Sequence, residues 1–419
     1  MWILRPAWLL TAAALFVTTA AAQSSPQAVS PAQFRRWQQE IRQTLFISSR
    51  LPRLAPKTYG SFSPMPGVIA DRVTYRTEFK MRVPAIVYRP AVQAGRLPAM
   101  VVVSGHGGDK YSWYDMYTGM LYARAGAVVL TYDPVGEGER NPEKRSGSRL
   151  HDRVVDAPQY PERLTGLMIT DVMQAVRYLR HRPDIDSSRI AVLGYSLGSF
   201  VSVLTGAVDP GIRAVVLSGG GDLDGAGGYW ENSGKPMCQA ISWKALSVLG
   251  DKAAVVYALN QRRGTTFIMN GTRDTVVDIP GHHEQPFFND LARRTEAITG
   301  MHSGVFETYW VQGASHRPNW VTRPAALWLE AQLHFSRWTA QSIDTMPETR
   351  IGTWAARWHV PMDKAYESEE REGGVMALGD DIPGIPRADL NVLPDAEWAR
   401  RRQEFVYGAW VRHALAAAR

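Results

Sequence analysis

The chain has 419 residues, of which 45% are hydrophobic and 21% charged, a composition typical of a globular protein with one large domain or two. The formal net charge is +7, but the basic residues form only short clusters without interleaved aromatic side chains. This pattern argues against a nucleic-acid-binding protein and favours a solvated, mildly basic surface.

Residues 1–22 have the pattern of a cleavable secretory signal peptide. One arginine is followed by a short apolar stretch and then by a run of small residues that ends at Ala22. The alternative is an uncleaved membrane anchor. No other stretch of the sequence is long and apolar enough to cross a bilayer. We therefore predict a secreted or periplasmic protein without a membrane span after removal of the signal.

The chain contains a single cysteine, Cys238. A secreted protein with one cysteine has no internal disulfide, so its stability must come from a large core. The sequence around Cys238 contains no partner motif, and we expect a buried small side chain there rather than a nucleophile.

Residues 23–96 predict a helix, a connector and two leading strands. Ser30 and Pro31 are typical of a helix start, because serine caps the first turn and proline suits the first helical position. A proline-rich connector follows over residues 50–67. Residues 73–90 are rich in β-branched and aromatic side chains and predict two antiparallel strands.

Six short apolar runs then alternate with helical patterns and define the predicted core, residues 97–338. Runs of this kind, without polar alternation, are typical of a parallel sheet that is covered on both faces by helices. We therefore predict an α/β fold with a mostly parallel central sheet. The predicted strands are 98–105, 127–134, 189–196, 212–220, 265–271 and 305–313.

Two long connections and the C-terminal part interrupt this alternation. The connections, residues 135–162 and 220–262, lie at the carboxyl ends of the strands and predict a lid or a substrate wall. Residues 339–419 lose the strand–helix alternation, and we expect them to form an extension that packs on the core.

The third predicted strand ends in "GYSLGS", with Ser196 between Gly194 and Gly198. A buried strand, a sharp turn and a helix are the context that a nucleophilic serine of this motif needs. Glycines two residues before and after the serine suit a strained turn that neighbouring chains crowd. The N–H of Leu197 then lies at a helix N-terminus and points toward the substrate as an oxyanion donor.

Two further strand ends complete a candidate catalytic triad. Asp274 follows the strand 265–271, and His316 lies in the loop before the last core helix. The order serine, aspartate, histidine along the chain is the one that a triad on this kind of sheet requires. Asp278 is a weaker candidate for the acid.

The loops after the first two predicted strands invite other interpretations. "HGG" at residues 106–108 either supplies a backbone oxyanion donor or forms a simple tight turn, with His106 supporting the loop by hydrogen bonds. The acids of "DPVGEGER" match neither a calcium loop nor a phosphate loop, so we expect a turn held by Asp133 and Arg140. The pair His282–His283 lacks a third ligand at suitable spacing, so we predict no metal site and no cofactor.

Together these motifs resemble the α/β-hydrolase superfamily, and within it the acetyl xylan esterase-like and dienelactone hydrolase-like branch. The resemblance covers about residues 70–338. It implies the α/β-hydrolase fold, Ser196 as nucleophile, His316 as base and acid and Asp274 as the orienting carboxylate. It further implies that Leu197 and Gly108 form the oxyanion hole. Dienelactone hydrolases carry cysteine at the nucleophile position, where this chain has serine.

The sequence therefore predicts a secreted serine hydrolase that cleaves carboxylic esters, with acetyl or other short acyl esters of carbohydrates as substrates. Trp113, Trp230 and Trp320 flank the motif loops and either stack on sugar rings or pack in the core. An oligopeptidase-like serine hydrolase and a non-catalytic exported binding protein are the alternatives. The sequence does not define the oligomeric state.

Overall fold

The computed structural model describes residues 29–93, 95–152, 157–223, 238–261, 264–282, 285–362 and 371–417. The predicted signal peptide, Trp230 and His283 lie outside these residues, as does the side chain of Cys238.

Twelve helices are described in this part of the chain. They are α1 (Pro31–Thr44), α2 (Trp113–Ala125), α3 (Tyr160–Arg180), α4 (Leu197–Val208), α5 (Cys238–Ala245), α6 (Lys252–Asn260), α7 (Gln285–Thr299), α8 (Arg323–Leu333), α9 (Ala340–Asp344), α10 (Ile351–Trp358), α11 (Asp395–Arg401) and α12 (Tyr407–Ala417).

Eleven strands accompany the helices in the described residues. They are β1 (Lys57–Met65), β2 (Val68–Arg76), β3 (Arg82–Pro90), β4 (Leu97–Val103), β5 (Val128–Tyr132), β6 (Ile185–Tyr195), β7 (Ala214–Ser218), β8 (Thr265–Gly271), β9 (Glu307–Val311), β10 (Glu348–Arg350) and β11 (Met376–Leu378).

Nine of these strands form one sheet, in the order β1-β2-β3-β5-β4-β6-β7-β8-β9. The pairs β1–β2, β2–β3 and β3–β5 are antiparallel, whereas all pairs from β5 to β9 are parallel. Every residue of β4, β5 and β7 is buried. The predicted α/β fold with a mostly parallel sheet is confirmed, and the carboxyl ends of β4 to β9 lie along one edge.

The N-terminal helix and the leading strands form where the sequence predicts them. Ser30 caps α1 by accepting a hydrogen bond from the N–H of Gln33 at 3.3 Å, and Pro31 occupies the first helical position. The strands β2 and β3 pair over nine residues each.

The predicted proline-rich connector is only partly correct, because it contains the strand β1. This strand lies at the edge of the sheet, its register with β2 shifts twice, and most of its side chains face solvent. An exposed edge strand needs no apolar alternation, so the sequence pattern does not reveal it.

The C-terminal residues make buried contacts with the core. The Tyr117 hydroxyl on α2 donates to the carbonyl of Leu378 at 2.8 Å, and the indole N–H of Trp398 donates to the carbonyl of Glu139 at 3.0 Å. Trp354 and Trp410 are also buried. None of the described helices combines the length and apolarity needed to cross a membrane. The division of the chain into domains at residues 22, 96 and 338 remains a prediction.

Candidate active site

Ser196 lies in the turn between β6 and α4 with φ 55° and ψ −118°, a conformation that a non-glycine residue rarely adopts. Its N–H donates to the carbonyl of Ser218 at 2.9 Å, which ties the turn to β7. The side chain is partly exposed, whereas Leu197 is buried. The sharp strand–turn–helix geometry expected from the sequence is present.

The glycines around Ser196 are required by close backbone approaches. A methyl group at Gly194 would collide with the carbonyl of Gly198, and one at Gly198 would collide with the carbonyl of Val103 on β4. A methyl group at Gly105 would lie 2.9 Å from the Ser196 Cβ. The glycines of the "GYSLGS" motif are therefore explained by crowding from α4 at Gly194 and from β4 at Gly198.

The structure brings Asp274 and His316 together in the buried region beside this turn. The Nδ1 atom of His316 lies 2.8 Å from Oδ2 of Asp274, so the imidazole donates its proton to the carboxylate there. The second carboxylate oxygen accepts the N–H of Val276 at 3.0 Å. The ring centroid of His316 lies 4.9 Å from that of Tyr195, the residue before Ser196. This arrangement leaves Nε2 of the imidazole as the basic nitrogen.

Asp278, the weaker acid candidate, is exposed and has φ 55°. The hydrogen bond from His316 goes to Asp274 instead.

The two predicted oxyanion donors differ in their surroundings. Leu197 is the first residue of α4, and the N–H at that position has no partner within the helix. The N–H of Gly108, in contrast, donates to the carbonyl of Gly105 at 3.1 Å within a tight turn. An oxyanion hole that uses Gly108 must exchange this bond for one to the substrate, so its role remains a prediction.

His106 supports its loop, as the sequence analysis expects. Its Nε2 atom lies 3.1 Å from Oδ1 of Asp152, and its ring stacks on His151 at a centroid distance of 5.2 Å. The N–H of Gly147 also donates to the carbonyl of Gly107 at 3.0 Å. The segment after β5 is therefore attached to the loop after β4.

The "DPVGEGER" residues form the expected turn around Asp133. The side chain of Lys110, which the sequence did not indicate, also takes part in it. The carboxylate of Asp133 accepts the N–H of Glu139 at 2.8 Å, and Arg140 donates to the carbonyl of Asp133 at 3.3 Å. The fully buried ammonium of Lys110 bridges Asp133 and Glu139. Burial raises the pKa of Asp133 to about 7, although the nearby Lys110 opposes this rise.

Glu372 is a buried acid next to the candidate triad that the sequence analysis did not identify. Its carboxylate accepts the indole N–H of Trp113 at 2.6 Å and the hydroxyl of Tyr195 at 3.1 Å. Burial raises its pKa, while these two hydrogen bonds and the nearby His316 oppose the rise.

The guanidinium of Arg317 also donates to the carbonyl of Gly374 at 3.2 Å. A C-terminal segment without any motif thus contacts residues adjacent to both Ser196 and His316.

The tryptophans that flank the motif loops pack in the core where they are described. Trp113 is bonded to Glu372, and the indole of Trp320 donates to the hydroxyl of Thr118 at 2.9 Å. Both side chains are buried, so they present no face to a sugar ring.

Two cavities are lined by residues that neighbour the candidate triad in the sequence. The more open one is lined by Arg273, Thr275, Pro280 and Ser315, the neighbours of Asp274 and His316. The other cavity is narrow and lies beside Leu197. Its lining is Val103, Ser104, Gly105, Tyr132, Pro134, Val135, Glu137, His151, Met168, Asp171, Leu197 and Val201.

Comparison with known proteins gives similarities in sequence and in fold. Residues 37–218 match the family model of acetyl xylan esterase (AXE1). This segment contains Ser196 but ends before Asp274 and His316. Methylesterase BT1017 superposes with a TM-score of 0.58 at 16% identity, covering 91% of this chain and 73% of that one. A Bacteroides fragilis NCTC 9343 protein named as an acetyl xylan esterase gives a TM-score of 0.50 at 18% identity, covering 68% and 76% of the two chains.

The chain also matches YtaP of Bacillus subtilis (strain 168), which carries the name of a hydrolase, with 26% identity over 150 residues. The match covers 32% of this chain and 47% of YtaP, so it spans about half the length of that relative. The resemblance to α/β-hydrolases of the acetyl xylan esterase type is confirmed. The solved structures share the fold, and the family match supports a carboxylic ester hydrolase as the class of enzyme.

Gly219, at the end of β7, offers a test of how His316 is positioned. Its φ is 62°, and a methyl group there would lie 2.7 Å from Cε1 of the His316 ring. We predict that Gly219→Ala displaces the imidazole and lowers kcat/KM for p-nitrophenyl acetate by ~100-fold. The control, Gly250→Ala, has a similar φ of 75° but no atom within 4 Å of the new methyl group. Equal losses of activity in both variants would contradict the assigned contact.

Glu372→Gln tests whether the C-terminal segment positions the site. Glutamine offers one acceptor oxygen where Trp113 and Tyr195 now donate to two, so we expect a loss of about 1.5–3 kcal/mol in the free energy of unfolding. We also expect kcat to fall more than KM rises, because Tyr195 precedes Ser196. The control is Glu348→Gln, which removes only a partly exposed ion pair to Arg323 at 3.6 Å. Denaturant titration gives the free energy of unfolding, and steady-state kinetics give kcat and KM. Equal effects of Glu372→Gln and Glu348→Gln on stability and on kcat would refute this role.

Proposed function

We propose that this α/β-hydrolase is a secreted serine esterase that uses Ser196, His316 and Asp274 to cleave short acyl esters of carbohydrates. The observation that supports it most is the 2.8 Å bond between His316 and the buried Asp274, beside the strained turn that presents Ser196. A serine, a histidine and a buried carboxylate placed in this way are the groups that nucleophilic acyl transfer needs.

In the proposed mechanism His316 removes the proton of the Ser196 hydroxyl as its oxygen attacks the ester carbonyl. Asp274 holds the proton on Nδ1, so Nε2 accepts the serine proton and then gives it to the leaving alcohol. Water enters, loses a proton to the same nitrogen and attacks the acyl carbonyl. The nitrogen returns this proton to the Ser196 oxygen as the bond to the acyl group breaks and the acid leaves. The Asp274 carboxylate keeps its hydrogen bond to Nδ1 and stabilises the imidazolium.

The tetrahedral oxyanion would be stabilised by the N–H of Leu197 and by a second donor from the loop after β4. A donor of this kind contributes on the order of 3 kcal/mol to the transition state. The dipole of α4 adds to it, since Leu197 is the first residue of that helix.

The two cavities favour an ester substrate with a small acyl group and a larger alcohol. The narrow cavity beside Leu197 has mostly apolar walls, including Val135, Met168 and Val201, which suit an acetyl-sized group. The open cavity at Arg273 and Ser315 provides polar groups for a hydroxylated alcohol such as a sugar. Export through the predicted signal peptide would bring the enzyme to polysaccharide substrates.

The oligopeptidase alternative has less support. Such enzymes usually carry a separate gating domain, whereas residues 29–93 supply one helix and three strands that extend the central sheet. The non-catalytic alternative requires an inert protein to retain Ser196, Asp274 and His316 in this arrangement, for which binding alone gives no physical reason.

Ser196→Ala tests the proposed nucleophile. We expect turnover of p-nitrophenyl acetate and of acetylated xylan to fall at least ~1,000-fold, because no other group replaces the serine oxygen. Ser187→Ala, at an exposed position on β6, should retain full activity. Equal activity of Ser196→Ala and the unmodified protein would refute the proposal. Cleavage restricted to a peptide panel would favour the oligopeptidase instead.

Asp274→Asn and Asp278→Asn form a matched pair that identifies the orienting acid. The amide at position 274 would favour the wrong imidazole tautomer, and we expect kcat to fall by ~10,000-fold. Asp278 is exposed, so its amide should leave kcat within a few-fold of the original value. The assignment is wrong if the loss appears at 278 and not at 274.

A further inference from the structure

His106, His151 and Asp152 meet where the loop after β4 touches the segment after β5. One ligand-type atom of each side chain lies within 4.8 Å of the other two. In the described part of the chain this is the one group of three or more histidine, cysteine, aspartate or glutamate side chains with such spacing. The sequence pattern does not indicate this cluster, because His106 and the adjacent pair 151–152 are 45 positions apart and belong to no spacing motif.

The hydrogen bonds of His151 leave one ring nitrogen without a donor or acceptor. Its Nδ1 atom lies 3.2 Å from the carbonyl of Val135, so the proton of the neutral ring belongs on Nδ1. Its Nε2 atom is buried, makes no hydrogen bond and lies 3.5 Å from Oδ1 of Asp152. A lone pair thus faces a carboxylate oxygen. A cation between the two atoms would remove this repulsion.

Two of the three distances within the cluster are close to those around a tetrahedral metal ion. Zinc–ligand bonds of about 2.0–2.1 Å place neighbouring ligand atoms about 3.3 Å apart. The Nε2 atoms of His106 and His151 lie 3.1 and 3.5 Å from Oδ1 of Asp152. All three ligand atoms lie within 4.8 Å of one another, so rotations of the side chains would bring them to one ion.

The surroundings of the three side chains also suit metal binding. A histidine that binds a metal usually donates its other N–H to a carbonyl or a carboxylate, as His151 does to Val135. The guanidinium of Arg149 lies 3.1 Å from the second oxygen of Asp152 and leaves Oδ1 for the ion. The side chains of His106 and Asp152 are 10% and 24% exposed, which gives an ion a route from solvent.

We propose that His106, His151 and Asp152 bind one divalent transition-metal ion, with Zn²⁺ as the reference ligand. Two imidazoles and a carboxylate are the donor set that zinc accepts, and a fourth position stays open for water. The ion would join the loop 105–108 to the segment 147–152, beside the narrow cavity that His151 lines. This site goes beyond the proposed esterase activity, which requires no metal.

The test is isothermal titration calorimetry of the chelator-treated full chain with zinc chloride at neutral pH, checked by elemental analysis. We expect one zinc per chain, and a loss of affinity of at least ~100-fold in His151→Asn and in Asp152→Asn. His302→Asn, at an exposed position, is the control and should bind zinc as the unmodified protein does. Ser196→Ala should also bind zinc normally, which separates this test from that of the esterase.

Circular dichroism of the metal-free variants shows whether they fold. Where His151→Asn does not fold, His106→Asn at a less buried position repeats the measurement and should lose the same affinity. Absence of zinc uptake by the unmodified protein would overturn the proposal. Equal zinc affinity in the unmodified protein and in folded variants of the cluster would overturn it as well.

Discussion

The strained backbone conformation of Ser196 is the constraint on which the arrangement of the neighbouring strands depends. A φ of 55° at a non-glycine residue costs about 1–3 kcal/mol and persists only where the surroundings fix it. Here β7 accepts the N–H of Ser196 through Ser218, and the carbonyl of Val103 on β4 leaves no room for a side chain at position 198. The strand order β4-β6-β7 places this turn between those two neighbours. The serine hydroxyl is thereby held at the edge where the other strand ends also lie.

The proposed acid and base follow strands further along the same sheet. Residues of the C-terminal segment also contact the site. Asp274 follows β8, and its carboxylate accepts hydrogen bonds from the N–H of Val276 and from His316. Gly219 leaves space for the imidazole ring, which packs against Tyr195. The buried carboxylate of Glu372, in the C-terminal segment, accepts a hydrogen bond from the Tyr195 hydroxyl. A residue more than fifty positions after His316 is therefore part of the structure around the proposed nucleophile.

The sequence predicts what depends on local chemistry and misses what depends on distant pairs. The buried strands from β4 to β8 are recognisable because continuous apolar runs end in glycine or polar turns, and strand ends in such a sheet locate Ser196, Asp274 and His316. The strand β1 escapes detection because an edge strand carries no buried face. Glu372 and Lys110 are invisible for another reason: their partners Trp113 and Glu139 are fixed only by the tertiary fold. Burial of Trp113 and Trp320 likewise follows from packing and not from their positions beside the motifs.

Buried charges give the segment after β5 its fixed conformation, although ionic groups are costly to bury. Lys110 contacts both Asp133 and Glu139, and Arg140 contacts Asp171, so each cation has an anionic partner. The carboxylate of Glu139 also accepts the N–H groups of Val392 and Leu393 at 2.9 and 3.2 Å. The wall of the narrow cavity is thus connected through one glutamate to the C-terminal segment. Because removal of either partner would leave an unpaired buried charge, the shape of this cavity wall is coupled to the fold and to the C-terminal residues.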